Sequence, residues 1–227
     1  MTESSKISYD AQNRPMREVM LPFVPPLFPA LRPEWAAGAT DMPVPDQDAC
    51  IALWNKYDVP VHIRNHSREV ALIVASLGAK LEAMGVNINR PLLLAGSLLH
   101  DIAKAYTIEY GGNHAQLGGA WVCRETGNYN VAQMVFHHVH WPWELDVNNE
   151  SMLPALLLVY ADKRVRHDEI VTMQERFKDL MRRYGHTELS RMYIQASLEQ
   201  GLDLEAALST RLGVDLHEYS FNSRRLV

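Results

Sequence analysis

Cysteine is scarce in this chain of 227 residues, with only Cys50 and Cys123 present. The pair is too small for a disulfide framework and matches no metal-ligand spacing, so both read as free thiols. Long apolar runs are missing as well. The nearest candidate for a membrane span, Leu21 to Leu31, is broken by Pro22, Pro25, Pro26 and Pro29 and falls far short of the roughly 20 residues required. Positive charge is also lacking: 22 Lys and Arg face 27 Asp and Glu, a formal net charge of -5. That balance argues against bulk nucleic-acid binding, which needs a basic surface to displace counterions, but leaves room for a small phosphorylated ligand. The start of the chain, Met1 to Pro15, is polar, carries Glu3 and Asp10, and has neither the basic start nor the apolar core of a signal peptide. A cytoplasmic protein without membrane partners is expected.

Proline is present but unevenly spread. Eight of the twelve fall between residues 15 and 45, so residues 1–45 read as an extended arm, with Phe23, Phe28 and Trp35 to dock it. Such an arm could embrace a second subunit, giving a homodimer. Beyond it the signals are helical. His66, Val70, Ile73, Val74, Leu77, Leu81 and Met84 share one face of a helix that Gly85 can end. Asn89 and Pro91 open PLLLAGSLLHDIAKAY, apolar nearly all round and read as one central helix carrying His100 and Asp101. Gly111 and Gly112 break the chain. HAQLGGAWVCRETG follows from His114 to Gly127, and NVAQMVFHHVH must stop near His140 because Pro142 follows Trp141. Ser151 is the expected cap of MLPALLLVYADKRV, with Ala155, Leu158, Val159 and Asp162 on one face. Amphipathic helices over 170–184, 187–200 and 204–212 are separated by Gly185, Gly201 and Gly213. No strand alternation persists and no repeat is present, so the fold class is all-α. Its expected parts are the arm, a helical domain over 46–185 and a helical extension over 186–227 packed on that domain.

Histidine is concentrated: seven of the ten lie between His62 and His140. A carboxylate such as Asp101 inside an apolar helix, or Asp162 closing an apolar stripe, is costly to bury without a compensating cation or hydrogen bonds. A free carboxylate at a helix C-terminus also opposes the macrodipole. His66, His100, Asp101 and Asp162 together offer two nitrogen and two oxygen donors from three helices, a set suited to a divalent transition metal. His62 shares a face with His66 but reads as surface, as do His167, His186 and His217. Trp141 and Trp143 read as packing residues.

This pattern, NHSREVA, LLHDIAK and YADKRV, resembles the HD superfamily of metal-dependent phosphohydrolases: a histidine, a His-Asp pair and a later aspartate, here His66, His100, Asp101 and Asp162. The resemblance covers about residues 60 to 170. Its nearest flavour is the bacterial HD hydrolases that split diadenosine tetraphosphate symmetrically. WPW replaces the Gly-Tyr-Pro of cyclic-di-GMP phosphodiesterases, and HDIAKA lacks the acidic pair of guanosine tetraphosphate hydrolases. The subgroup with two metals implies two further ligands. NHAQLGG supplies His114, and MVFHHV supplies His137 or His138; we expect His137, after the apolar MVF, with His138 facing the substrate.

The resemblance implies an all-α HD bundle with two divalent ions, iron or manganese first, and nickel, cobalt or magnesium also compatible. Such ions would lower the pKa of a bridging water and stabilise charge on a phosphoryl oxygen. Asp101 is the expected bridge. Lys104, one turn on, is expected as a catalytic and phosphate-binding cation, with Lys163 and Arg164 as further substrate contacts. The expected substrate is a nucleotide or another small phosphoester. Two other outcomes stay open: a mixed-valent di-iron oxygenase of the HD type, and a catalytically silent metal-containing sensor.

Overall fold

The computed structural model describes residues 42–141, 143–217 and 221. The arm over 1–41, its three aromatic residues and Pro142 therefore lie outside the described residues. Within them the protein is all-α, apart from one two-stranded hairpin. The helices in order are α1 (Gln47–Lys56), α2 (Val61–Ala83), α3 (Arg90–Leu99), α4 (Lys104–Tyr110), α5 (His114–Thr126), α6 (Tyr129–His137) and α7 (Leu153–Asp162). Strands β1 (Val165–Arg166) and β2 (Glu169–Ile170) follow, then α8 (Met173–Tyr184) and α9 (Glu188–Leu212).

Local chemistry fixes most of the helix starts. Asp46, Asn89, Asn113 and Asn128 each accept a backbone N–H of the first turn of α1, α3, α5 and α6. Thr172 and Glu175 form a reciprocal capping box on α8. Met42 is tied down by Asn128, whose Nδ2 donates to its carbonyl at 2.9 Å. Helix α7 is the centre of the bundle: Leu153 and every residue from Ala155 to Ala161 are buried, so it is enclosed on all sides by α2, α3, α6 and α9.

Four expectations change. The segment expected as one long helix is broken. α3 ends at Leu99, and α4 starts only at Lys104. The turn between them is tightened by Ile102 N–H to Leu99 and Lys104 N–H to Asp101, so His100 and Asp101 sit on a corner rather than along a stripe. Ser151 does not cap α7; its hydroxyl and N–H both bond Asn149 instead. Gly201 does not divide two helices, because α9 runs through it. A Cβ there would meet Met173 Sδ at 2.5 Å and Lys163 Cδ at 3.0 Å, so the glycine permits close packing under α7 and α8. Finally, the chain after Asp162 makes the β1–β2 hairpin, whose turn residue His167 adopts a left-handed φ of 58°.

The C-terminal helix is part of the same core. Leu204, Leu208 and Leu212 on α9 are buried together with α7. Among the described residues no helix is long and apolar enough to cross a membrane.

Candidate metal centre

Five elements bring the polar side chains together at one end of α7. His66 comes from the second turn of α2, His100 and Asp101 from the α3–α4 corner, His114 from the first position of α5, and Asp162 from the last position of α7. His138 is the residue immediately after α6. His66, His100, Asp101 and His138 are all buried.

Asp101 stands in the middle, and its two oxygens face different groups. Oδ2 lies 3.4 Å from His100 Nε2 and 3.8 Å from His66 Nε2. Asp162 Oδ1 closes that side, 3.0 Å from His66 Nε2 and 3.7 Å from His100 Nε2. The other oxygen, Oδ1, lies 3.3 Å from His114 Nε2 and 3.6 Å from His138 Nε2, and those two nitrogens are 3.1 Å apart. Donor atoms of His66, His100 and Asp101, and of Asp101, His114 and His138, thus form two triplets tight enough to hold an ion each.

Three of the imidazoles are locked in one tautomer. A backbone carbonyl can only accept, so each Nδ1 placed on one must carry the proton: His66 to His167 at 2.9 Å, His100 to Ser97 at 2.8 Å, His138 to Val135 at 2.7 Å. Each Nε2 is thereby turned toward the cluster, the arrangement that outer-sphere hydrogen bonds impose on metal-binding histidines. Burial lowers the His66 pKa, although Asp162 and Asp101 oppose it. His66 Nε2 lies 3.0 Å from Asp162 Oδ1, close enough for the two atoms to share one proton or to ligate one cation. His100 Nε2 and Asp101 Oδ1 are buried with no hydrogen-bond partner. These orphaned donors make the residues fit a divalent cation, with hard oxygen and borderline nitrogen ligands.

The charges are consistent with that fit. Burial raises the Asp101 pKa, but Lys104 and then His100 outweigh it and hold the carboxyl well below its ordinary value. Asp162 is likewise held low, with burial overcome by the hydrogen bond and charge of His66. Burial takes His114 down to about 3. His100 moves up: burial lowers it, and the charges of Asp101 and Asp162 more than offset that. Lys104 Nζ donates to Asp101 Oδ2 at 2.6 Å, on the side where the carboxylate also meets His100.

Three expectations about side chains need correction. His137 is not in the cluster. Its ring packs edge-on against Trp143 at 4.7 Å and Phe136 at 4.9 Å, while the next residue points inward. Successive helical residues are about 100° apart, so only one of the two histidines can face Asp101, and the turn after α6 selects His138. Thus His138 takes the place expected of His137, rather than a substrate-facing one. Arg164 is engaged elsewhere, donating to the carbonyls of Val171 and Leu216 and pairing with Glu205 at 3.3 Å. Lys163 is buried and donates to the Val139 carbonyl at 3.0 Å, and burial brings its pKa down to about 8. His62 is exposed, as read.

Sequence reading missed the support provided by His167, whose carbonyl fixes His66 from 101 residues away. A left-handed non-glycine residue in a two-residue turn gives no dependable sequence signal. It also missed that Arg176 on α8 is buried.

Residues 63–167 match the family model described as HD domain. With the helical bundle and the His-Asp corner, this match supports membership of the HD superfamily for that segment. Two curated relatives match more weakly. The chain is 26% identical over 185 residues to a tRNA (cytidine(56)-2'-O)-methyltransferase of Thermoplasma volcanium, covering 77% of this chain and 50% of that protein. It is 36% identical over 77 residues to Ribonuclease Y of Thermosipho melanesiensis, covering 34% of this chain and 14% of that one. The chain therefore spans half or less of the length of these relatives. No solved structure matches the chain.

Proposed function

We propose that this protein is a metal-dependent phosphohydrolase acting on a nucleotide or another small phosphorylated compound. The observation that carries the reading is the placement of Asp101, whose two oxygens face two sets of imidazole nitrogens while Lys104 bonds one of them. His66, His100, Asp101 and Asp162 would hold one ion; Asp101, His114 and His138 would hold a second. Bound divalent ions supply Lewis acidity and lower the pKa of water.

The chain's own residues do the rest. The carbonyls of residues 167, 97 and 135 keep three imidazoles oriented before any ligand arrives, so no reorganisation is needed on binding. Lys104 stays charged: burial lowers its pKa, but Asp101 and Asp162 outweigh burial and raise it. Its ammonium is part-exposed beside the cluster and can neutralise charge gathering on phosphoryl oxygens. Ribonuclease Y, a nuclease by name, is a relative compatible with phosphoester chemistry.

The test is a phosphate-release screen over nucleotides, dinucleoside polyphosphates and phosphomonoesters with manganese, iron, cobalt, nickel and magnesium each supplied, run with and without oxygen. Oxygen-independent release is expected with at least one pair. Lys104→Met should keep its metal and lose about a hundredfold in rate, the usual effect of removing one charge-stabilising donor. Release that requires oxygen would point to the di-iron oxygenase chemistry, and binding without turnover to a sensor.

A further inference from the structure

Helix α6 ends at His137 with no glycine to stop it, and the segment after it is held by residues from elsewhere in the chain. Residues 139–141, which follow His138 directly, are gripped at two points. Lys163 Nζ donates to the Val139 carbonyl at 3.0 Å, as cations commonly do for the last carbonyls of a helix. Two residues on, the Gln200 amide of α9 takes both backbone groups of Trp141. The Trp141 N–H donates to Oε1 at 3.1 Å, and Nε2 donates to the Trp141 carbonyl at 2.7 Å. Trp141 is 1% exposed, so its backbone has little solvent to turn to in their place. An amide with one acceptor and one donor group meets that pair in only one orientation.

The two grips are one piece of packing. Lys163 follows Asp162 at the end of α7, and its stem lies against Gly201, where a Cβ would stand 3.0 Å from Lys163 Cδ. Gln200 and Gly201 are consecutive, so one turn of α9 both grips Trp141 and leaves room for the lysine that grips Val139. Each grip bears on the neighbouring histidines. Trp141 packs edge-on against Trp143 at 5.0 Å, and the two indoles meet the His137 ring at 6.0 and 4.7 Å. With His137 kept among the tryptophans, His138 points the other way, its Nδ1 on the Val135 carbonyl and its Nε2 3.6 Å from Asp101 Oδ1. Gln200 lies outside the segment matched as HD domain, which ends at residue 167.

We propose that Gln200 and Lys163 are positioning residues of the second ion site: by holding residues 139–141 they end α6 at His137 and present His138, not His137, to Asp101 and His114. Both act through the backbone of that segment. The inference rests on the two-ion reading of the centre, and ion binding is measured without turnover.

The test is calorimetric titration of the metal-depleted full chain with manganese, beside the thermal midpoint of the metal-free protein. Wild type should take up two ions. Gln200→Leu removes both bonds at similar volume and should weaken one ion by about 10- to 100-fold, the usual effect of removing an outer-sphere partner, while the other binds as in wild type. Lys163→Met should act on the same ion. Gln200→Glu keeps an acceptor for the Trp141 N–H but loses the donor to its carbonyl, so it should fall between. Added to His138→Ala, Gln200→Leu should leave the remaining ion untouched, because the residue it positions is gone. Leu208→Ala, a core truncation on the same helix, separates positioning from general loosening: it should lower the thermal midpoint at least as much as Gln200→Leu and keep both affinities. Two ions bound equally by wild type, Gln200→Leu and Lys163→Met overturn the proposal and leave the centre standing. So does a Leu208→Ala that weakens the same ion to the same degree. A wild type that holds one ion or none removes the two-ion reading and the proposal with it.

Discussion

Two clusters of buried charge meet the segment from Tyr160 to Arg164, one through Tyr160 and Arg164 and the other through Asp162, and they are built on opposite terms. In one, Arg164, Tyr160 and Glu205 complete each other: the guanidinium donates to Tyr160 Oη, to Glu205 and to the carbonyls of Val171 and Leu216, and the Tyr160 hydroxyl also reaches Glu205. In the other, around Asp101, His100 Nε2 and Asp101 Oδ1 are buried with no hydrogen-bond partner. The first group joins α9 to α7 and is finished by the chain alone. The second is finished only by something added. Burial alone does not separate structural charges from functional ones; the balance of donors and acceptors does.

Breaking either cluster should therefore have different signatures. Asp101→Ala removes the carboxylate common to both triplets, and we expect essentially all bound transition metal to be lost, as read by elemental analysis after reconstitution. Metal content equal to wild type would refute the centre. Arg164→Ala should instead leave metal stoichiometry unchanged while lowering stability by about 3–5 kcal/mol, because Glu205 is left buried without its partner. Denaturant unfolding measures that loss; a loss of metal with no loss of stability would invert the comparison.

The adjacent histidines sharpen it further. His138→Ala should remove about one ion per chain, whereas His137→Ala should keep both and lose only the packing of its ring against Trp143. One ion per chain in the wild type and in both variants would make the centre mononuclear. Smallest of all should be the part-exposed network of Lys56, Tyr57 and Glu125. Hydrogen bonds from Lys56 and then Tyr57 bring the Glu125 pKa down to about 2. A carboxylate depressed in the folded state contributes stability that is present above its unfolded pKa, roughly 4.3, and is lost as pH falls toward the folded value. Glu125→Gln should thus lower the thermal midpoint slightly near pH 6, a loss under about 1 kcal/mol because the Lys56 ammonium is exposed, and the gap should narrow between pH 5 and pH 3. A gap that widens on acidification would reverse the sign of the linkage.

Much of this protein could be read along the chain. The 3.6-residue stripe from His66 to Leu81, the Asn89–Pro91 start and the glycine stops give the helices, because periodicity and caps are local properties. The costs of burying Asp101 and Asp162 likewise follow from their apolar neighbours, which is why the four groups His66, His100, Asp101 and Asp162 stand out without coordinates. Tertiary structure decided the rest. Whether His137 or His138 turns inward depends on where α6 ends, a matter of one residue that periodicity does not resolve. Arg164 and Lys163 look as available as Lys104 in the sequence, yet packing on α9 and the Val139 carbonyl takes them up, while Lys104 remains on Asp101. Arg176, 14 positions past Asp162, is indistinguishable in the sequence from the arginines that solvate the face of α8. Only the fold shows that it is buried, because burial is a property of space and the sequence records only order.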